Sequence, residues 1–356
     1  MKAIIIAGGL GTRLRPLTYD IPKPIIPMAN RPFVFHQIEL LKKFGISDII
    51  LNLHYMSDNI KNILSEVQKM GVKVSFSLED KPLGTAGAVK NAEEYFDDGP
   101  MLVFNGDILT DINLKKLIDF HKQKKATVSL TLKNVDDPTP YGLIITGDDG
   151  RVQSFIEKPN WDQVKARTIN AGVYIVEPGI FKKVPKGKPF SFERQLYPIL
   201  LEEGEKIYGY ISDAYWKDIG DPAKYLQAHR DILAGDVMVN VPGNKIGAHI
   251  WVEEGAVISS SAKVRGPALL GKNSKVADNV DIHESVVLGE RVEVGKGTQL
   301  KDCVILAGTT IGENVKIEDT VIGENSIIED NAAIGHDVVI ASRSVIRKGS
   351  KIGRLA

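Results

Sequence analysis

The sequence predicts two architectures in tandem: an α/β domain over residues 1–235, built on a mostly parallel sheet with both faces covered, and a parallel β-helix over residues 246–356. Two observations predict it. Up to about residue 235, β-like apolar runs alternate with helical patterns, as in parallel sheets joined by crossover helices. From about residue 246, apolar residues recur every six positions, a period that fits neither a helix nor an alternating strand.

Taken in order, Lys2 to Ala7 reads as a buried strand. Pro32 to Phe44 reads as an amphipathic helix, with Phe33, Phe35, Ile38, Leu40 and Leu41 near one face. Ser47 to Leu53 reads as a strand, Ser57 to Met70 as a helix and Val72 to Ser77 as a strand. Thr85 to Phe96 reads as a helix, Met101 to Phe104 as a strand, Asn113 to Lys124 as a helix and Ala126 to Leu132 as a strand. Ligands in such folds sit at the carboxyl ends of strands, which points to the loops after Ala7, Ser77 and Phe104. A helix-like run, Ala223 to Ala234, precedes Gly235 to Lys245, where Pro242, Gly243 and Asn244 mark a linker.

The sixfold series begins at Val252 and runs through Ile258, Val264, Leu270, Val276, Ile282, Leu288, Val294, Leu300 and Leu306. It slips by one to Ile311 and Ile317, slips again to Ile322, and continues through Ile328, Ile334, Ile340, Ile346 and Ile352. Two places before each position from Ile258 onward stands a small or β-branched residue, Val304 and Thr309 among them, with Gly, Asn and Asp crowding the positions between. This is the hexapeptide repeat of a β-helix, whose short strands form the faces of a prism and whose polar residues turn its corners.

Composition narrows the functional classes. Hydrophobic residues make up 43% and charged residues 25% of 356, which excludes wholesale disorder and a collagen. Lys plus Arg and Asp plus Glu number 45 each, so no general polyanion-binding surface and no nucleic-acid partner are expected. Cys303 is the single cysteine, which excludes intrachain disulfides and CxxC chemistry and suits a reducing compartment. Apolar runs such as Ala3 to Ala7 are far short of a membrane span, and no signal-peptide pattern opens the chain. A cytoplasmic enzyme is the expectation, with no membrane partner.

The first strand runs straight into Gly8-Gly9-Leu10-Gly11-Thr12-Arg13-Leu14. Glycines after a strand let the backbone approach phosphate and aim N–H groups at it. The loop is not a P-loop, because no Gly-Lys-Ser/Thr follows. It is not a dinucleotide fingerprint either, because Leu14 stands where the third small residue belongs. Alone it would equally be a tight turn. Arg13 adds a fork for phosphate oxygens, and Pro22-Lys23-Pro24 adds a point charge on a stiffened backbone.

Ala7 to Thr18, followed by Pro22-Lys23-Pro24, resembles the signature of the sugar-1-phosphate nucleotidylyltransferases. Further matches fall in the family's order: Leu83-Gly84-Thr85-Ala86-Gly87, Asn105-Gly106-Asp107, Tyr141-Gly142, Glu157-Lys158-Pro159, Asn170-Ala171-Gly172 and Trp216-Lys217-Asp218-Ile219-Gly220. The trailing hexapeptides match as well, so the resemblance covers essentially the whole chain. Pattern and length are most similar to the family's β-subunit-like branch that guanylylates mannose 1-phosphate.

The resemblance implies a Rossmann-like nucleotidyltransferase domain with a mixed, mostly parallel sheet, followed by a left-handed parallel β-helix. It implies transfer of a nucleotidyl group from a nucleoside triphosphate to a sugar 1-phosphate, with release of pyrophosphate. Gly8, Gly9, Gly11, Thr12, Glu79, Gly84 and Thr85 match nucleotide-binding positions. Arg13 and Lys23 match the groups that handle triphosphate and transition-state charge. Gly142, Glu157 and Asn170 match sugar-binding positions, and Lys158 the sugar phosphate. Asp107 and Asp218 match the carboxylates that hold Mg²⁺, an ion satisfied by one or two carboxylates plus substrate phosphates. Without the family, Asp107 reads equally as a Gly-Asp turn and Asp218 as a helix cap before Pro222.

Glu79 bears on the base. Guanine presents N1–H and its amino group side by side, and a carboxylate accepts both, whereas uracil and thymine place acceptors beside N3–H. The alternative reading is an exposed charged loop, Glu79-Asp80-Lys81. Other base and sugar pairs stay open, among them uridylyl, thymidylyl or adenylyl transfer to glucose 1-phosphate. So does a second, acyltransferase activity in the β-helix, for which His283 and His336 are candidate bases at repeat corners. A regulatory relative without catalysis is disfavoured, because Arg13, Lys23, Asp107 and Asp218 are all present. The β-helix is expected to join copies of the chain into a homo-oligomer.

Overall fold

The computed structural model describes residues 1–54, 60 and 66–354. The predicted helix Ser57 to Met70 lies mostly outside them; its end, Glu66 to Lys69, is helical. The chain forms two compact units, one from Met1–Leu10 with Gln37–Trp216, the other from Gly11–His36 with Lys217–Ala356.

The first unit is built on one sheet. At its centre Ala3–Ile6 lies parallel to Asp48–Leu53 on one side and to Met101–Asn105 on the other, with Lys73–Leu78 parallel at the edge. Buried apolar residues on nearly every position of the three inner strands explain this half, since parallel strands are covered on both faces. Beyond Met101–Asn105 the sheet turns antiparallel: Thr168–Val176 pairs with it and also with Val128–Asn134 and, at Ile169, with Gly142–Thr146. Val152–Glu157 pairs antiparallel with Gly142–Thr146. The core between sheet and helices is stacked with Tyr174, Phe181, Phe192 and Tyr197. The predicted strand and helix positions hold to within a few residues, although the helix expected over Thr85 to Phe96 stops at Asn91 and continues as a 3-10 turn, Glu93–Tyr95.

In the second unit, helix Pro222–Ala234 starts on an Asp221 cap, whose side chain accepts the Lys224 N–H, and ends at Gly235 with φ 88. Asp221 therefore does the capping that Asp218 was considered for. The β-helix follows. Strands stack in parallel from coil to coil, as Ile282 on Val264, Leu300 on Ile282, Ile317 on Leu300, Ile334 on Ile317 and Ile352 on Ile334. Their side chains fill the prism. The small polar residues two places earlier are buried too. Thr298, Thr309 and Thr320 donate to the carbonyls of Gly312, Gly323 and Gly335 in the next coil at 2.8, 3.0 and 2.9 Å. A hydroxyl of that size satisfies its hydrogen bond where a larger polar group would not fit.

The register slip falls one corner earlier than the periodicity suggests. Cys303 stacks on Val286 and Ile305 on Leu288, so these, not Val304 and Leu306, occupy the repeat positions. The corner Lys301-Asp302-Cys303 is one residue shorter than His283-Glu284-Ser285-Val286, and Asp302 takes φ 46 to turn it. Counting apolar residues could not resolve this, because Val304 and Leu306 are buried as well.

Candidate active site

In the first unit, the end of strand Ala3–Ile6 passes into Ala7-Gly8-Gly9. A Cβ on Gly8 would lie 3.1 Å from Glu79 Oε1. Glu79 is only 5% exposed, and its Oε2 accepts the Leu83 N–H at 2.8 Å. This rules out the exposed-loop reading. Burial holds the carboxyl above its usual pKa range, with the Leu83 N–H and nearby His54 opposing. Gly9 differs from its neighbour: nothing lies within 4 Å of a Cβ there.

Asp107 follows Met101–Asn105 in a turn pressed onto the end of the first strand. The Gly106 N–H donates to Ile6 O at 2.8 Å, and a Cβ on Gly106 would sit 2.5 Å from that oxygen. Gln37 Nε2 donates to the carbonyls of Asn105 and Ile108, both at 2.9 Å, and clamps the turn from the other side. Asp107 is thus fixed at the carboxyl end of the central strands.

The Leu83–Gly87 segment opens a helix against residues 188–190. Gly84 has φ 69, and a Cβ on it would lie 2.9 Å from Phe190 O. Thr85 Oγ1 donates to Glu193 Oε2 at 3.1 Å and accepts the Phe192 N–H at 2.9 Å. Glu193 also receives Asn170 Nδ2 and the Tyr174 hydroxyl on Oε1, both at 3.4 Å. Asn170 sits at an irregularity in the pairing of its strand, and its Oδ1 accepts the Gly172 N–H at 3.0 Å. Glu157 lies opposite Gly142 on the neighbouring strand, its Oε2 3.1 Å from where a Gly142 Cβ would be. Burial raises the Glu157 pKa first and the Glu193 charge raises it further, against Arg194 and Lys158. Lys158 is exposed and takes φ 49.

The structure therefore gathers Thr85, Asn170 and Tyr174 on Glu193, a residue the sequence reading missed. The one local signal is Ser191-Phe192-Glu193 at the start of a helical turn, and it reads as an ordinary cap: Ser191 does accept the Glu193 and Arg194 N–H groups.

In the second unit, Gly11 takes φ 62 and its carbonyl accepts the Leu14 N–H at 2.9 Å and Thr18 Oγ1 at 2.7 Å. A Cβ on Gly11 would lie 3.2 Å from Lys23 Cβ, so the loop carrying Thr12 and Arg13 is packed directly against Lys23. Arg13 and Asp218 meet over Gly220, where a Cβ would be 2.6 Å from Asp218 Oδ2 and 3.1 Å from Arg13 Nη1. Asp218 Oδ1 accepts Lys224 Nζ at 2.6 Å. Lys224, six residues on, was also missed; inside a helical run it looks like a solvated lysine. His336 faces Asp319 at 3.4 Å, and Cys303 is fully buried with its thiol pKa pushed up by burial. Among the described residues no group of three or more His, Cys, Asp or Glu could hold a metal ion, and no helix is long and apolar enough to cross a membrane.

Comparison with known proteins adds the decisive observation. The profile of the nucleotidyl transferase family matches residues 2–235, two thirds of the chain. The chain belongs to the sugar-1-phosphate nucleotidylyltransferase family. The profile of the EIF2B subunit epsilon left-handed β-helix domain matches residues 247–352 of this nucleotidylyltransferase. A mannose-1-phosphate guanylyltransferase of Mycobacterium tuberculosis is 34% identical over 300 residues, 83% of this chain and 82% of the relative. A UTP–glucose-1-phosphate uridylyltransferase of Synechocystis is 30% identical over 327 residues, 88% of this chain and 84% of the relative. Among solved structures, HddC of Yersinia pseudotuberculosis complexed with GMP-PN superposes with a TM-score of 0.56 at 34% identity, covering 64% of this chain and 97% of its own. As a member of this family the chain is an enzyme of nucleotidyl transfer to sugar 1-phosphates.

Proposed function

We propose that the enzyme transfers guanylyl from GTP to mannose 1-phosphate. The observation that carries the base is Glu79, buried against Gly8 with Oε1 turned to the glycine loop. A fixed carboxylate offers acceptors to the two adjacent donors of guanine and repels the acceptors of uracil and thymine. The guanylyltransferase relatives and the GMP-PN complex of HddC support the same choice; the uridylyltransferase relative is its competitor.

In the reaction a phosphate oxygen of the sugar 1-phosphate attacks the α-phosphorus in line. The new P–O bond forms as the bond to the β-phosphate bridging oxygen breaks, and pyrophosphate leaves with the electron pair. Arg13 and Lys23 are assigned to the triphosphate, where fixed cations stabilise developing charge. Lys158 is assigned to the sugar phosphate, and Gly142, Glu157 and Asn170 to the sugar. The donor chemistry of Asp107 and Asp218, hard oxygens with no cluster of three or more His, Cys, Asp or Glu around either among the described residues, fits Mg²⁺, which keeps most of its shell for phosphate and water. Bound there, the ion would offset the repulsion between the two anionic substrates.

The test is a pyrophosphate-release panel crossing GTP, dTTP, UTP, ATP and CTP with mannose, glucose and N-acetylglucosamine 1-phosphates. The highest kcat/KM is expected for GTP with mannose 1-phosphate. A preference for UTP or dTTP would overturn the base assignment and leave the family reaction standing.

A further inference from the structure

The hairpin that follows Lys23 is strained and anchored in a way that the reaction itself does not explain. Pro27–Met28 pairs antiparallel with Arg31–Pro32, and the two residues at its tip, Ala29 and Asn30, have φ 47 and 58. Left-handed backbone at two consecutive residues suits Gly and Asn and is disfavoured for a side chain such as that of Ala29. Such strain persists where the surroundings over-determine it.

The surroundings are the β-helix and the helix leaning on it. Asn30 Nδ2 donates to Glu253 Oε1 at 2.9 Å and to Leu288 O at 2.8 Å, which uses both of its hydrogens on the β-helix. The Ala29 N–H reaches His229 Nδ1 at 3.4 Å, Tyr225 donates to Pro27 O, and Arg31 reaches Asn240 O at 3.4 Å. On the other side of Lys23, Asp20 pairs with Arg343. Lys23 thus stands between two attachments to the β-helix, with Gly11 packed on its Cβ. Pro22, Pro24 and Pro27 leave little slack in the six residues involved.

We propose that the β-helix is the seat of the triphosphate loop, and that Asn30 is a positioning residue fixing Lys23 and Arg13 for the nucleotide. This gives the β-helix a role in the reaction itself, apart from any assembly role. It rests on the assignment of Arg13 and Lys23 to the triphosphate.

The test uses the full chain with Asn30→Gly, which keeps the backbone comfortable at positive φ and removes the side-chain anchor, and Asn30→Asp, which sets a carboxylate against Glu253. Two readouts are needed. Amide exchange over residues 11–26 is expected to quicken in Asn30→Gly while the β-helix stays protected. The kcat/KM for the nucleotide is expected to fall about tenfold or more, with the KM for the sugar phosphate unchanged. Asn30→Asp is expected to recover part of the loss as pH falls and the carboxylates protonate. Unchanged exchange over residues 11–26 would overturn the proposal whatever the rates do, as would equal losses for both substrates. Quickened exchange with wild-type nucleotide kinetics would instead refute the roles given to Arg13 and Lys23.

Discussion

Gly9 and Gly106 make a matched pair of glycines with opposite reasons for being glycine. At Gly106 a β-carbon would stand 2.5 Å from Ile6 O and 3.0 Å from Ala7 Cα, atoms of a central strand that cannot yield. Gly106→Ala must also stretch the hydrogen bond from its N–H to Ile6 O. Overpacking costs about 1–3 kcal/mol and the lost bond about 1 kcal/mol, so a destabilisation of ~2–4 kcal/mol is expected. At Gly9 nothing lies within 4 Å and φ is not left-handed, so Gly9→Ala should leave stability unchanged or raise it by about 0.4–1 kcal/mol. Its function is another matter. A methyl on the open face of the loop holds a phosphate away from the backbone N–H groups. Loss of one charge-assisted hydrogen bond, about 1.5–3 kcal/mol, corresponds to roughly 10–150-fold in kcat/KM for the nucleotide. Urea unfolding and initial rates on the two variants separate the cases. Gly9→Ala with wild-type kcat/KM would refute the assignment of this loop to the triphosphate. Gly106→Ala with wild-type stability would refute the close approach of the Asp107 turn.

Asp218→Asn should abolish most turnover while the fold is retained, checked by circular dichroism beside activity at saturating Mg²⁺; near-normal rates there would refute the assignment of Asp218 to Mg²⁺. Glu193→Gln should move the acid limb of the pH–rate profile for sugar phosphate to lower pH, because the Glu193 charge helps hold the Glu157 pKa up; an unmoved limb would separate the two carboxylates. His229, fully buried, has its pKa pushed down to about 3, first by burial and then by His36. The unfolded chain takes up this proton below about pH 6.5 while the native chain does not, so stability is intact above pH 6.5 and falls as pH drops toward 3. By pH 5 the loss is ~2 kcal/mol, visible as a melting-temperature decrease that His229→Gln should lessen. Ala29→Gly should raise stability by relieving φ 47, read as a higher urea midpoint, against a small entropic cost from the unfolded chain.

Much of the fold was legible because period and punctuation survive in the sequence. Alternating strands and helices gave the first sheet, and the hexapeptide gave the prism. Its one-residue slip was misplaced because both frames at Cys303 to Leu306 are apolar, and only the coil-to-coil pairing distinguishes them. The glycine-rich motifs were legible for the same reason: Gly84 and Gly106 are glycines because backbone passes close by. Glu193 and Lys224 were not. Each is an ordinary charged residue at the start of a helical segment, and only the fold shows that one receives Thr85 and Asn170 and the other pairs with Asp218. Glu79 lay between these cases, since the family resemblance pointed to its position but its burial could not be read from the neighbouring Asp80 and Lys81.

The attachments to the β-helix also act as a ruler. Asn30 marks it at Glu253 and Leu288, Arg230 at Asp302 and Asp319, and Asp20 at Arg343. Each coil adds about 4.8 Å along the axis. Inserting or deleting one coil between Glu253 and Arg343 would shift at least one mark by that amount while the others stayed in place, and no side-chain rearrangement spans such a step for all of them. A coil added after Arg343 moves none. The number of coils is therefore constrained up to Arg343 and free to vary beyond it, so variation in the length of this β-helix among relatives should be confined to its far end.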